Sequence, residues 1–267
     1  MSSQTYKVIA HNYAHDSENK IHDDKTAALY GFKGGLVPGV ADYGYLSRAA
    51  LQTWGDSWLR GGSMEAKFIK PIYHGEVATA VATSDGDPEL VTLSLLNPEG
   101  MNCAVGQAHL HGGVQAPKIG DYPHHAPLAP STLPLPEIES FIAGRALGAI
   151  DYIHDEQEAR ELSQSLFVEA LPCVDGKANW HPALCLSYAN RIVKSNVQLG
   201  AWVHTASRVD YFDQPAQGEQ ISLRGKVAAT YDKRGHVVSE LDLAMFAGGE
   251  RTLVKILHTA IIRLAAG

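Results

Sequence analysis

Four pairs of residues in this chain stand at one spacing: Pro38 and Pro182, Trp58 and Trp202, Phe68 and Phe212, and Pro71 and Pro215 each differ by 144. Gly75-Glu76 returns as Gly218-Glu219, one residue off that spacing. Bulky aromatics and turn-forming prolines recurring in the same order mark one structural unit used twice. Trp58, Trp202, Phe68 and Phe212 are accordingly read as core. A chain of 267 residues built this way must let two like halves bury their apolar faces.

The stretches between these markers repeat as well. Residues 40–54 are apolar on nearly every side, which predicts a helix wrapped by other structure rather than laid on a surface. Four strand-like runs follow at 64–70, 76–84, 90–96 and 102–111, with turn signals at Gly86-Asp87-Pro88 and Asn97-Pro98-Glu99-Gly100. In the second half, residues 182–199 predict a helix with proline at its start and Gly200 just beyond its end. Four more runs come after it, at 205–212, 220–231, 236–246 and 251–264. Within them, Glu240-Leu241-Asp242-Leu243 alternates as a strand with one packed face. Smaller expectations are a first strand at 6–12, a helical turn at 25–30 stopping at Gly31, a strand at 145–153, and a charged helix at 155–164 capped by Asp155.

Between the halves, Pro117, Pro123, Pro127, Pro130, Pro134 and Pro136 break any periodicity. The expected organisation is an N-terminal half at 1–111, a proline-rich connector at 112–137 and a C-terminal half at 138–267. The fold class is α+β: two tandem repeats of a long central helix wrapped by an antiparallel β-sheet.

The halves differ in polar content. Asn19-Lys20-Ile21-His22-Asp23-Asp24, then Gly31-Phe32-Lys33-Gly34-Gly35-Leu36-Val37-Pro38-Gly39-Val40, leads into the first helix. A helix entered through such a loop aims unpaired N–H groups and its positive dipole end at whatever lies beside it. That suits a carbonyl or thioester oxygen gaining negative charge, with His22 as the nearby proton-transfer group. Pro38 donates nothing, so Gly39 and Val40 are the candidate N–H donors. Position 166, 144 beyond His22, is Leu166, and no Asn-x-x-His surrounds it. The constellation belongs to the first half alone.

Asn19-Lys20-Ile21-His22, then Ala27, then Gly31-Phe32 and the glycine-bounded helix start at Pro38-Gly39, resembles the pattern of MaoC-like (R)-specific enoyl-CoA hydratases and dehydratases. The resemblance implies a double hotdog fold and a hydro-lyase acting on an enoyl or 3-hydroxyacyl thioester, CoA- or carrier-bound, or a related carbonyl-conjugated metabolite. In that family an Asp and a His polarise the water that adds across the double bond. His22 and Asn19 match the family's His and Asn, whereas the Asp position, five before the His, is Ser17. The resemblance thus assigns His22 as acid/base, Ser17 and Asn19 as residues ordering water and substrate, and Gly39 and Val40 as donors to the enolate-like oxygen. No cofactor is implied. A single double hotdog supplies the pairing that single hotdogs obtain by dimerising, and a homodimer of the whole chain stays open.

Two alternatives stand beside it. Asp42 in the apolar helix, or Asp24, could activate water for acyl-CoA thioester hydrolysis; a buried, hydrogen-bonded Asp42 is the plainer account. Without the family's Asp, the pocket could also bind an acyl ligand without turnover. His109-x-His111 and His124-His125 lack a third ligand at recognisable spacing, so no metal is expected. Cys103 and Cys185 fall in apolar segments without a partnered histidine, and no glycine-rich dinucleotide motif occurs.

Composition narrows the partners. A net charge of −7 without a basic run disfavours nucleic acid and anionic membrane surfaces. The first residues lack the apolar core of a secretory signal, and no apolar run reaches the length of a membrane helix. Three cysteines without paired spacing fit a reducing compartment, so a cytoplasmic protein is expected.

Overall fold

The computed structural model describes residues 2–167, 173–174, 177–178 and 180–265. The first half contains β1 (Ser2–Ile9), α1 (Asp24–Leu29), α2 (Gly39–Trp54), β2 (Ser63–Phe68), β3 (Val77–Ser84), β4 (Leu90–Leu96) and β5 (Asn102–His109). The second contains β6 (Ile150–Ile153), α3 (Glu156–Phe167), a small ladder of β7 (Cys173–Val174) with β8 (Lys177–Ala178), α4 (Leu184–Lys194), β9 (Val203–Tyr211), β10 (Gln220–Lys233), β11 (His236–Ala247) and β12 (Arg251–Arg263). The connector carries only short 3-10 turns at Ile119–Asp121 and Pro130–Thr132.

Ten of these strands form one antiparallel sheet in the order β1-β3-β4-β5-β2-β9-β12-β11-β10-β6. Read outward from its middle, each half runs through equivalent strands: β2 and β9, β5 and β12, β4 and β11, β3 and β10, β1 and β6. The central pair is self-complementary. Met64 faces Val209 and Glu65 faces Arg208, and the 144-residue spacing equates Met64 with Arg208 and Glu65 with Val209. That is how two identical surfaces meet about a two-fold axis. The fold is a double hotdog.

Alternation decides which face packs. In β3 the buried positions are Ala78, Ala80 and Ala82, and in β4 they are Val91, Leu93 and Leu95. The small alanines let α2 settle against β2 to β5, while Tyr43, Tyr45 and Leu46 of α2 fill the space beneath. At Gly106 of β5 a Cβ would lie 2.1 Å from the Glu65 carbonyl oxygen, so only glycine lets β5 run this close to β2.

Several boundaries differ from the sequence expectations. The first strand begins at Ser2, not 6, because polar residues suffice for an edge strand paired with β3. The second long helix is α4, Leu184–Lys194, shorter than 182–199. Asn196 ends it: its Nδ2 donates to Ile192 O (2.8 Å) and to Gly148 O (3.1 Å), and its Oδ1 accepts from Gly148 N (2.6 Å). The same contacts shorten the strand expected at 145–153 to Ile150–Ile153, since the Gly148 amide is turned out of the ladder. Only an Ala146–Lys226 bridge precedes it. The helix expected at 155–164 runs from Glu156 to Phe167, with Asp155 Oδ1 accepting from Glu158 N (2.8 Å). No helix among the described residues is long and apolar enough to cross a membrane.

Candidate active site

Asn19 opens a 3-10 turn, Lys20–His22, and its Oδ1 accepts from Ile21 N. The same amide reaches across the molecule to the backbone of Trp202: Nδ2 donates to Trp202 O (3.0 Å) and Oδ1 accepts from Trp202 N (3.2 Å). With both ends engaged, the Asn19 amide is fixed in orientation and clasps the first half to the second.

His22 is held from three sides. Its carbonyl oxygen accepts from Asn12 Nδ2 (2.9 Å). Gly35 passes so near that a Cβ there would lie 2.0 Å from that oxygen, which is why the loop needs glycine. Its Nδ1 lies 2.7 Å from Leu36 O. A carbonyl only accepts, so the imidazole proton sits on Nδ1 and Nε2 carries the lone pair. Asn19 Nδ2 approaches that lone pair at a long 3.3 Å. Burial holds the His22 pKa below its ordinary value, against the opposing pull of the Leu36 carbonyl.

The start of α2 lies beside this ring. Ala41 N (2.8 Å) and Asp42 N (3.3 Å) both donate to Pro38 O, and no side chain caps the helix. The N–H groups of Gly39 and Val40 have no partner among the described residues. One turn in, Asp42 is buried, with Oδ1 lacking a hydrogen-bond partner. Burial pushes its carboxyl well above the ordinary carboxylate range, which favours the protonated acid.

His22, Gly39 and Asp42 share a cavity of about 240 Å³, walled by Ile21, Phe32, Leu36, Val37 and Phe68 and closed from the second half by Val203, His204, Thr205 and Ile261. Val40 is buried behind Gly39 rather than in this wall. Ser17 is not in the wall either; its hydroxyl donates to Asn19 O (3.3 Å). The amide of Asn19 likewise stands behind His22, turned to Trp202. A second cleft, of about 520 Å³, is lined by Asn12, His15, Asp24, Lys33, Tyr73 and His74 and lacks His22 and the helix start. There Asp24 Oδ1 accepts from Gly35 N (2.7 Å), which makes Asp24 a brace for the loop.

His204 has no place in the sequence motif. It reaches the wall from β9, with Nδ1 unpartnered, and a Cβ on Gly39 would lie 3.0 Å from that nitrogen. Its ring stands edge-on to Phe68 (4.8 Å) and stacks on His258 (4.3 Å). No spacing within one segment signals this; it follows from the register that sets β9 beside β12. No cluster of three or more His, Cys, Asp or Glu side chains arranged for a metal ion occurs among the described residues.

No protein-family model matches the chain, and no curated protein matches it. Solved structures do. A protein of Chloroflexus aurantiacus described as a MaoC domain dehydratase superposes with a TM-score of 0.64 at 10% identity, over 99% of this chain and 96% of the other. A Mycobacterium tuberculosis protein essential for bacterial survival during infection, with a double hotdog fold, gives 0.63 at 13% identity over 98% and 96%. An acyl-ACP thioesterase of Bacteroides thetaiotaomicron gives 0.51 at 9% identity over 97% and 100%. Dehydratases and thioesterases thus both occur among the proteins of like fold. With its mirrored ten-stranded sheet, its two central helices and likeness along nearly its whole length to these structures, the chain is a double hotdog protein.

Proposed function

We propose that this protein is a hydro-lyase that adds water to, or removes it from, an enoyl or 3-hydroxyacyl thioester. The observation that carries this reading is the convergence, on one cavity, of the His22 imidazole, whose Nε2 lone pair has only the long Asn19 contact, the unpaired Gly39 N–H opening α2, and the buried Asp42 carboxyl. The apolar walls suit an acyl chain. The thioester oxygen takes the N–H group of Gly39, a contact that becomes most favourable as charge develops on it, while Val40 stands behind it.

In hydration, His22 Nε2 accepts a proton from water as the water oxygen bonds to the carbon β to the thioester. The Asn19 contact is long enough for a water to displace. Electrons pass to the thioester oxygen, and the α-carbon then takes the proton of Asp42. His22 and Asp42 return to their starting states by proton exchange through solvent. Asp42 is the proton donor of this scheme and His22 alone activates the water, while Ser17 and Asn19 hold the turn. Thioester hydrolysis needs Asp42 as a base, and burial, which favours its protonated form, works against that.

The test is loss of the conjugated absorbance of crotonyl-CoA and longer enoyl-CoAs. His22→Ala is expected to lower kcat about 10²–10⁴-fold. Free-thiol release without loss of the double bond, abolished in Asp42→Asn, would assign the site to hydrolysis instead. Tight acyl-CoA binding with neither product would make it a ligand-binding site.

A further inference from the structure

The cavity that holds His22, Gly39 and Asp42 is open at one end and blind at the other. Ile69, 57% exposed, and the exposed Lys70 stand at its mouth, whereas Asp42 and Val37 are 3% and 4% exposed at its inner end. Behind that end the chain is solid. Val37 N donates to Ile72 O (2.9 Å), and Ile72, Tyr45 and Cys103 belong to the same buried core as Val37. The larger cleft beside Asp24 shares no wall residue with this cavity, so the two do not run into one another.

Volume limits what can lie inside. A cavity of about 150 Å³ takes a benzene ring, so the cavity of about 240 Å³ here takes about ten non-hydrogen atoms. The carbon, oxygen and sulfur of a thioester and one attacking water fill about four of those places, and the carrier arm entering at the mouth draws on the remaining six or so. A packed core does not yield space for more without strain. One side chain spans the width of the cavity. The Phe68 ring meets the start of α2 on one side, where a Cβ on Gly39 would lie 3.0 Å from its Cδ2 and Cε2. On the other side it stands edge-on to the His204 ring (4.8 Å), so it bridges the two halves of the chain.

We propose that this cavity selects short acyl groups, of about four to six carbons, and that Phe68 is the residue setting the limit. This rests on the reading that the cavity takes an acyl thioester with its oxygen at Gly39, and it names the size class of that substrate. With the oxygen at Gly39 and the carrier arm at the mouth, the acyl chain extends toward the blind end, past Phe68 and Asp42. Each methylene that finds room there leaves water and tightens binding about fourfold. The first that finds none gains nothing and has to push a packed wall aside.

The experiment titrates the full-length protein with a ladder of saturated acyl-CoAs and reads Kd by calorimetry. From butanoyl- to hexanoyl-CoA, Kd is expected to fall about fourfold with each CH₂. Beyond hexanoyl-CoA it should fall no further, so that decanoyl-CoA binds no more tightly than hexanoyl-CoA. Phe68→Ala is expected to move this break to longer chains, tightening decanoyl-CoA about tenfold or more while butanoyl-CoA changes less than about threefold. A Kd that keeps falling to decanoyl-CoA in wild type overturns the proposal, as does a break that stays at hexanoyl-CoA in folded Phe68→Ala. Phe68→Leu, which keeps the wall apolar and removes part of the ring, decides the second point in the same way if the alanine variant does not fold. A protein that shows the break but never hydrates crotonyl-CoA overturns the hydro-lyase reading and leaves the size limit standing. One that binds no acyl-CoA overturns both.

Discussion

Asn19 does two jobs with one amide, and the second is invisible from its motif. It lies beside His22 Nε2 and it also satisfies both backbone groups of Trp202. Asn19→Ala strands those two groups in a buried position and is expected to cost about 2–4 kcal/mol in urea unfolding. Asn19→Asp places a carboxylate by Nε2 and favours the imidazolium, so the His22 pKa rises. For wild type, the hydration rate should hold as pH falls to about 6.5 and drop only below it, since the pKa of His22 is depressed. In Asn19→Asp the same decline should begin at higher pH; an unmoved profile would separate His22 from the chemistry. Of the residues lining the cavity, His22, Gly39 and Asp42 are visible in sequence because they cluster around one helix start. Ser17 shows the limit of that reading: spacing along a turn does not say which side of the turn a hydroxyl takes. His204 was beyond reach because two strands must pair before it faces Gly39.

Among the elements, those whose own residues fix their limits were the most legible. α2 is a dense apolar run between Pro38 and Gly55, and its observed span departs from the sequence by a single residue. β4 alternates cleanly and matches throughout. α4 ends early for a reason located elsewhere: Asn196 is drawn to Gly148, 48 positions back, and takes the Ile192 carbonyl on the way. That tie also truncates β6, so one buried side chain displaces two boundaries. Asn196→Ala leaves the Gly148 amide and carbonyl unpaired and should destabilise the protein by about 2–3 kcal/mol, read as a lower urea midpoint. An unchanged midpoint would mean that water or a neighbour replaces the amide.

For the molecule as a whole, burial of neutral histidines sets the response to acid. His181 and His258 are held to about 3 and His204 well below its ordinary value, all by burial. Their folded pKa values lie below the unfolded one, so the stability they contribute is complete above about pH 6.5 and is lost as pH falls toward 3. Asp42 has the opposite sign: burial favours its proton in the folded state, and unfolding above about pH 4 releases it, which opposes the histidines. With His22 and His154 lowered by burial as well, unfolding below about pH 6 takes up protons on balance, and stability falls with pH. Urea midpoints at pH 5.5 should be below those at 7.5, and Asp42→Asn should steepen the dependence. A midpoint that rises on acidification contradicts the neutral assignments.

The seam between Met64–Glu65 and Arg208–Val209 has a consequence for what the halves are free to become. Two separate chains meeting along such an edge would share one sequence, and any change on one side would appear on the other. Joined head to tail, they are released from that identity. The first half keeps Asn19 and His22 while the position answering to His22 is Leu166, and the second half lends His204 to the cavity wall instead of a second copy of the motif. Duplication within a single gene thus allows one asymmetric pocket to be assembled where symmetry would have imposed two.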